Sequence, residues 1–338
     1  PKTPKPQRFE FYKLTKKLLL FEKTSILFHR QKSNLKKTMG NTCSCQDNAV
    51  KEGEVKVENP LERRFALIAA SNYRDSKLAA DPTYAAAGPD ATTPLFETDD
   101  PYLVDLQRTA PSQGLQFTEE LVFENGAIYR GYLLNDMRHG PGVQVWPDNA
   151  KYEGEWRLNK ANGRGKFWHA DGDIYEGQWF NDKAHGTGTY RHANGATYVG
   201  EWCEDKQHGK GVEKWPDGAK YEGQYQDGKK HGDGTLTFAD SSTYTGQFKN
   251  NEISGIGKYI WPDNKVYEGA WEHNKMHGTG VLIWRDGKRY EGQFVNDKRE
   301  GRGVFKWKDG RVYEGEWLDG KQHGIGVFTS KDGMVKRG

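Results

Sequence analysis

From residue 129 to the end of the chain, large apolar and polar positions alternate in short runs, and the runs recur every 23 residues. Tyrosines stand at Tyr129, Tyr152, Tyr175, Tyr198, Tyr221, Tyr244, Tyr267, Tyr290 and Tyr313, with no insertion or deletion between them. Two residues after each comes a glycine: Gly131, Gly154, Gly177, Gly200, Gly223, Gly246, Gly269, Gly292 and Gly315. Four residues after each comes a large apolar side chain: Leu133, Trp156, Trp179, Trp202, Tyr225, Phe248, Trp271, Phe294 and Trp317. Side chains at offsets 0, 2 and 4 share one face of a β-strand. The residues between them, such as Glu153 and Glu155 or Glu176 and Gln178, face the other way. A Gly-x-Gly follows in every unit, from Gly140/Gly142 to Gly324/Gly326. It opens a second strand that often ends in tryptophan, as at Trp146, Trp215, Trp261, Trp284 and Trp307. A turn such as Asp217-Gly218 or Asn194-Gly195 closes most units, and Asp-Gly between strands is a strong hairpin signal. Each period is therefore one antiparallel hairpin, with little room for a helix, and an unbroken period makes the array a meander or solenoid.

The expected fold is all-β: a single-layer antiparallel hairpin meander, preceded by a largely unstructured or partly helical N-terminal region. One layer has no second layer to pack on, so stacked aromatic rows must supply the apolar interior. Hairpins advance by two strand spacings, about 9.5 Å, so nine units would span on the order of 85 Å. The glycines either let a strand bend or let an aromatic ring lie on the backbone. The segment Glu120–Tyr129 repeats the second half of a unit, with Asn125-Gly126 as its turn, and should cap the first edge. Met334–Gly338 enters a tenth unit, with Lys336 where tyrosine is due, which reads as a fragment of a longer protein.

Tyr-Glu-Gly-Glu-Trp, then His-Gly-x-Gly, then Trp-x-Asp-Gly resembles the MORN (membrane occupation and recognition nexus) repeat, over about residues 114–338. That resemblance implies an elongated, twisted, single-layer sheet with a shallow groove. It also implies a role in organising cytoskeletal, ciliary or membrane-contact structures. The departures are local: Asn162, Ser254 and Glu300 replace the usual histidine, Leu133 replaces an aromatic, and Trp168-His169 is shifted by one.

Composition adds detail outside the array. With 41 glycines and 13% aromatic residues among 338, the chain does not have the composition of a disordered protein. Net charge is +3, but residues 1–38 alone carry +9, which leaves −6 for the remainder. A mildly acidic body does not suit nonspecific nucleic-acid binding, so no nucleic-acid partner is expected. Residues 1–38 read best as upstream sequence translated in frame, with a membrane-surface amphipathic helix or a transit peptide as alternatives. Met39-Gly40-Asn41-Thr42-Cys43-Ser44 fits the N-myristoylation pattern, and Cys43 and Cys45 lie in reach of palmitoylation. One myristoyl chain binds a membrane marginally and a second acyl chain makes the anchor stable. Gly40, Cys43 and Cys45 are thus the candidate lipidation sites. The rest of 39–113 reads as a flexible linker, with a short helix over Arg63–Leu78. Three cysteines, Cys43, Cys45 and Cys203, are too few for a disulfide scaffold. No run of about 18 apolar residues is present to span a membrane.

The recurring chemistry reads as structure. Six histidines, His139, His185, His208, His231, His277 and His323, sit one period or more apart, too far to share an ion whose ligand nitrogens stand about 2.0–2.1 Å from it. They are expected to hydrogen-bond their turns. Recurring Glu and Asp read as a solvated face, because they do not converge on one pocket. Gly-x-Gly leads into no helix and is no phosphate loop. No metal, cofactor or catalytic activity is expected. The leading reading is a non-catalytic scaffold. It would offer its repeat surface to protein partners, tethered by acyl chains at the cytoplasmic face of a membrane or at the cytoskeleton or a cilium. A weak anionic phospholipid contact through Lys151, Lys220, Lys265, Lys288 and Arg289 is a further expectation. The alternative is a regulatory or targeting region of a larger enzyme, such as a phosphatidylinositol phosphate kinase or a SET-domain lysine methyltransferase, with its catalytic domain beyond Gly338.

Overall fold

A computed structural model of the chain describes residues 95–96 and 100–338. The basic segment 1–38, the helix expected over Arg63–Leu78, and Gly40, Cys43 and Cys45 lie outside the described residues. The described part is one short helix, a 3-10 turn and twenty strands. It falls into two compact units. One runs to Lys220 and includes Tyr225–Gly228. The other comprises Tyr221–Gln224 and Lys229–Gly338.

In each unit the chain is all-β and antiparallel, each strand paired with its sequence neighbours. β1 (Gln116–Val122) pairs with β2 (Ile128–Leu134), and β2 with β3 (Met137–Val145). A seven-residue tyrosine strand and a nine-residue Gly-x-Gly strand then alternate through the array. Two kinds of turn connect them. Inside each hairpin the two loop residues both take the left-handed conformation, as at Asn181 (φ 49°) and Asp182 (φ 65°). This is the primed turn whose twist matches its strands, and Asn and Asp tolerate it best. Between hairpins, the Asp-Gly turns are longer loops: Gly218 N–H donates to the Trp215 carbonyl, and Trp215 N–H to the Ala219 carbonyl. Only Gly218 there is left-handed, at φ 87°. The Asp-Gly pair is thus the four-residue turn with a bulge, and the tight turn belongs to the polar Asn-Asp pair.

The tight turns are tied from one hairpin to the next. Asp182 Oδ1 accepts the Ala161 N–H at 2.8 Å, Asp205 the Ala184 N–H at 2.9 Å, and Asn251 the Lys230 N–H at 2.8 Å. This is the turn-holding bond expected of the six histidines. None of their rings makes it among the described residues; His277 faces Glu272 at 3.5 Å and His185 faces Phe180. The second turn residue wins because its short side chain already points at the neighbouring N–H.

The core is the aromatic face. Tyr129, Tyr152, Tyr198, Tyr221, Tyr244, Tyr267 and Tyr290 are fully buried. From Tyr152 onward the typical ring meets the aromatic four residues on and the one in the next unit, edge to face; Tyr129, followed by Leu133, meets Trp156 of the next unit. Tyr152 stands 5.0 Å from Trp156 and 5.2 Å from Trp179, and Tyr267 stands 5.1 Å from both Trp271 and Phe294. Each tyrosine hydroxyl donates to a carbonyl three residues along its own strand, at 2.9 Å for Tyr152 to Glu155. Each tryptophan four residues after a tyrosine donates its N–H back one unit, as from Trp179 to the Gly165 carbonyl at 3.0 Å. The glycines are what let the ring lie there. A Cβ on Gly188 would sit 2.5 Å from the Tyr175 hydroxyl, and one on Gly177 2.5 Å from the Gly188 Cα. Of the two expected roles for glycine, the resting place for a ring is the one these positions serve.

Two consequences are measurable. Gly188→Ala forces the buried Tyr175 ring out and should lower stability by about 2–4 kcal/mol. Gly218→Ala, where the added carbon meets nothing within 4 Å and only the left-handed backbone resists, should cost about 1 kcal/mol. Urea midpoints of the two variants, measured together, should rank in that order. Separately, burial pushes the Asp297 carboxyl up to about 6, against the opposing Met276 N–H bond and Lys275. A raised carboxyl favours the protonated folded state, so its contribution is complete below about pH 4 and is lost as pH rises through 6. Asp297→Asn keeps the Oδ1 acceptor, as Asn251 and Asn274 do at equivalent turns. It should raise stability at pH 7.5 by on the order of 1–2 kcal/mol and not at pH 4, as read from urea melts at both pH values.

Candidate functional site

The face opposite the aromatics is built from the residues one and three after each tyrosine and from those flanking the second glycine of Gly-x-Gly. It was expected to be a uniform solvated surface. The structure divides its side chains into three roles.

In most units the residue three after tyrosine is Glu or Gln and serves as a structural acceptor. Gln178 Oε1 accepts the Thr187 N–H at 2.8 Å, Glu201 the Lys210 N–H at 2.8 Å, and Gln247 the Ile256 N–H at 2.9 Å. Each bond closes a bulge at the first glycine of Gly-x-Gly, left-handed at φ 64° for Gly186 and 54° for Gly209. The interchange of Glu and Gln along the repeat is the sequence signal for this role: the oxygen matters and the charge does not. Gln178→Ala should cost about 1 kcal/mol and Gln178→Glu close to none, a contrast that a pair of thermal melts would check.

The second role is docking. The stretch read as linker, 39–113, ends in ordered structure rather than free chain. Helix α1 (Pro101–Thr109) is capped by Asp100, which accepts the Tyr102 N–H at 2.9 Å, and runs into the 3-10 turn Ala110–Gln113. Leu103 and Ala110 pack with Leu95, Phe96 and Tyr132, and Val143 flanks them. Tyr132 and Val143 are outer-face residues, and Tyr132 is a large aromatic where the other units carry Glu, Gln or, once, Ala270. That departure was the legible sign that something covers the first unit.

The third role is a shallow cavity of about 540 Å³ at the edge of the helix, lined among others by Leu103, Glu153, Lys166, Thr189, Val199 and Lys210. Glycine backbone, Gly165, Gly177, Gly188 and Gly200, contributes to its lining. Glu153 departs most from a solvated face, being only 2% exposed. Its Oε1 accepts from Lys151 Nζ at 2.6 Å, and its buried Oε2 has no partner. Glu176 and Gln178, the equivalent pair one unit on, are exposed.

The basic side chains expected to meet phospholipid are engaged within the chain. Lys151 holds Glu153, Lys265 is buried over the Trp261 ring at 4.1 Å, Lys288 pairs with Asp286 at 2.7 Å and Arg289 with Glu291 at 2.7 Å. Cys203 is half-buried. Trp168, one position early in its repeat, leaves the aromatic face and carries the Lys151 and Lys166 ammoniums at 4.3 and 4.9 Å. His169 takes its place, 4.5 Å from Phe167. Among the described residues, no group of three or more His, Cys, Asp or Glu side chains could hold a metal ion.

The MORN repeat family model matches nine consecutive segments, from 129–151 to 313–335. The chain belongs to the MORN repeat family. The MORN repeats themselves are non-catalytic. A relative, phosphatidylinositol 4-phosphate 5-kinase 1 of Oryza sativa subsp. japonica, is 38% identical over 69 residues, which are 19% of this chain and 9% of the kinase. The match thus spans about a tenth of that relative's length. Among solved structures, the TCP10 domain of Danio rerio CPAP in complex with a peptide of Danio rerio STIL aligns with 62% of this MORN chain and 97% of its own, at 14% identity and TM-score 0.35. The TCP10c domain of Drosophila melanogaster Sas-4 aligns with 52% and 96%, at 12% identity and TM-score 0.24.

Proposed function

We propose that this protein is a non-catalytic scaffold whose outer MORN face receives protein partners and whose N-terminal acyl chains hold it at the cytoplasmic side of a membrane. One observation carries the reading: the aromatic face is spent on packing one hairpin against the next, and the outer face holds an open cavity with a buried carboxylate. A site of this kind offers recognition and no convergent acid, base and nucleophile. Anchoring is argued from Gly40, Cys43 and Cys45, because two acyl chains give stable attachment where one does not. Cytoskeletal or ciliary membranes are the places such a scaffold would serve.

The kinase likeness favours a second reading, in which these repeats are the regulatory region of a larger lipid kinase. The mass of the protein isolated from its own cells separates the two: a polypeptide carrying a kinase domain would overturn the pure scaffold. Anchoring is tested in cells fed an alkyne-bearing myristate analogue. Label should enter at Gly40 and vanish in Gly40→Ala. Cys43→Ser with Cys45→Ser should keep the label and shift the protein from the membrane to the soluble fraction. An unlabelled Gly40 in the native protein would discard the anchor.

A further inference from the structure

The outer-face cavity has an uneven electrostatic balance. Arg164 lies 4.0 Å from Asp100 and carries the Tyr102 ring at 4.7 Å. Lys166, opposite Glu153 in register, lies 3.7 Å from Glu176 and 4.9 Å from the Trp168 ring. The two cations nearest Glu153 in the cavity are thus drawn toward other partners, and Lys210 lies five strands away. Glu153 is buried, and one of its two carboxylate oxygens makes no hydrogen bond. A desolvated carboxylate oxygen without a donor is costly, and such a group is retained where a ligand completes it.

We infer that Glu153 is the anchor of a specificity pocket for one lysine side chain of an extended partner peptide lying in this cavity. This rests on the reading that the outer face binds proteins, and it names what that face selects. Lysine fits better than arginine because Lys151 already occupies Glu153 Oε1. A guanidinium fork seeks both oxygens of a carboxylate, and an ammonium needs only one. Leu103 supplies an apolar wall for the four-carbon stem. From the Glu153 strand to the Lys210 strand is five strand spacings, about 24 Å, room for roughly seven extended residues. Along that path Glu176 is paired with Lys166 and Arg191 and Glu201 accepts the Lys210 N–H, which leaves Glu153 as the buried carboxylate with an uncommitted oxygen.

The test is selection of random twelve-residue peptides displayed on phage against the full chain, followed by titration of the winners as free peptides. Selected peptides should share one lysine. Replacing it by norleucine should weaken binding at least tenfold, and replacing it by arginine should weaken binding by less. Glu153→Gln, isosteric and uncharged, should weaken the lysine peptide about as much as norleucine does and leave the norleucine peptide unchanged. Because the norleucine arm uses the unaltered protein, it stands even if Glu153→Gln folds poorly. Peptides that bind without a shared lysine, or that ignore Glu153→Gln in a folded variant, would overturn the pocket while the protein-binding reading survives. Failure to select any peptide would overturn both.

Discussion

The structure depends on a tyrosine ring lying flat against two paired glycines. The ring of Tyr175 rests where Gly177 and Gly188 face each other, its hydroxyl donating to the Gln178 carbonyl at 2.8 Å. Any side chain at either glycine would occupy the space of the ring. With the ring down, the next unit's tryptophan meets its edge, at 5.2 Å for Trp202, and donates to the Gly188 carbonyl at 3.2 Å. One contact therefore sets both the depth of the apolar layer and the spacing of hairpins. Burial raises the hydroxyl pKa of Tyr175 and of Tyr267 above the ordinary phenol range, so each stays a neutral donor at any physiological pH.

The same economy explains why the two faces differ. Large side chains on the inner face are consumed by the array: Trp156 and Trp317 even carry guanidiniums, from Arg138 at 4.1 Å and Arg299 at 4.3 Å. Stability in such an array is a sum of hairpin and neighbour terms. Substitution on the outer face, away from the bulge acceptors, touches few of those terms. That face can vary to suit a partner, and one unit has done so by accepting a helix on Tyr132.

The period, the face assignment and the hairpins were all legible in the residues, because each follows from a spacing of two along a strand and 23 along the chain. The acceptor role of Gln178 and Glu201 was legible in principle, in the interchange of two side chains that share an oxygen and not a charge. It went unread because both also suit a solvated surface. The histidines misled for the converse reason: their regular spacing marks the bulge they precede rather than a bond of their own.

The amino-acid sequence by itself determined the local geometry, since turn chemistry, strand alternation and the glycine–tyrosine match act between residues at most about a dozen positions apart. Only the tertiary structure decided the fate of Glu153. It has the same repeat position as Glu176, yet Glu153 is buried and holds Lys151, while Glu176 is exposed. Burial depends on what the rest of the chain places above a residue, and no local pattern records that.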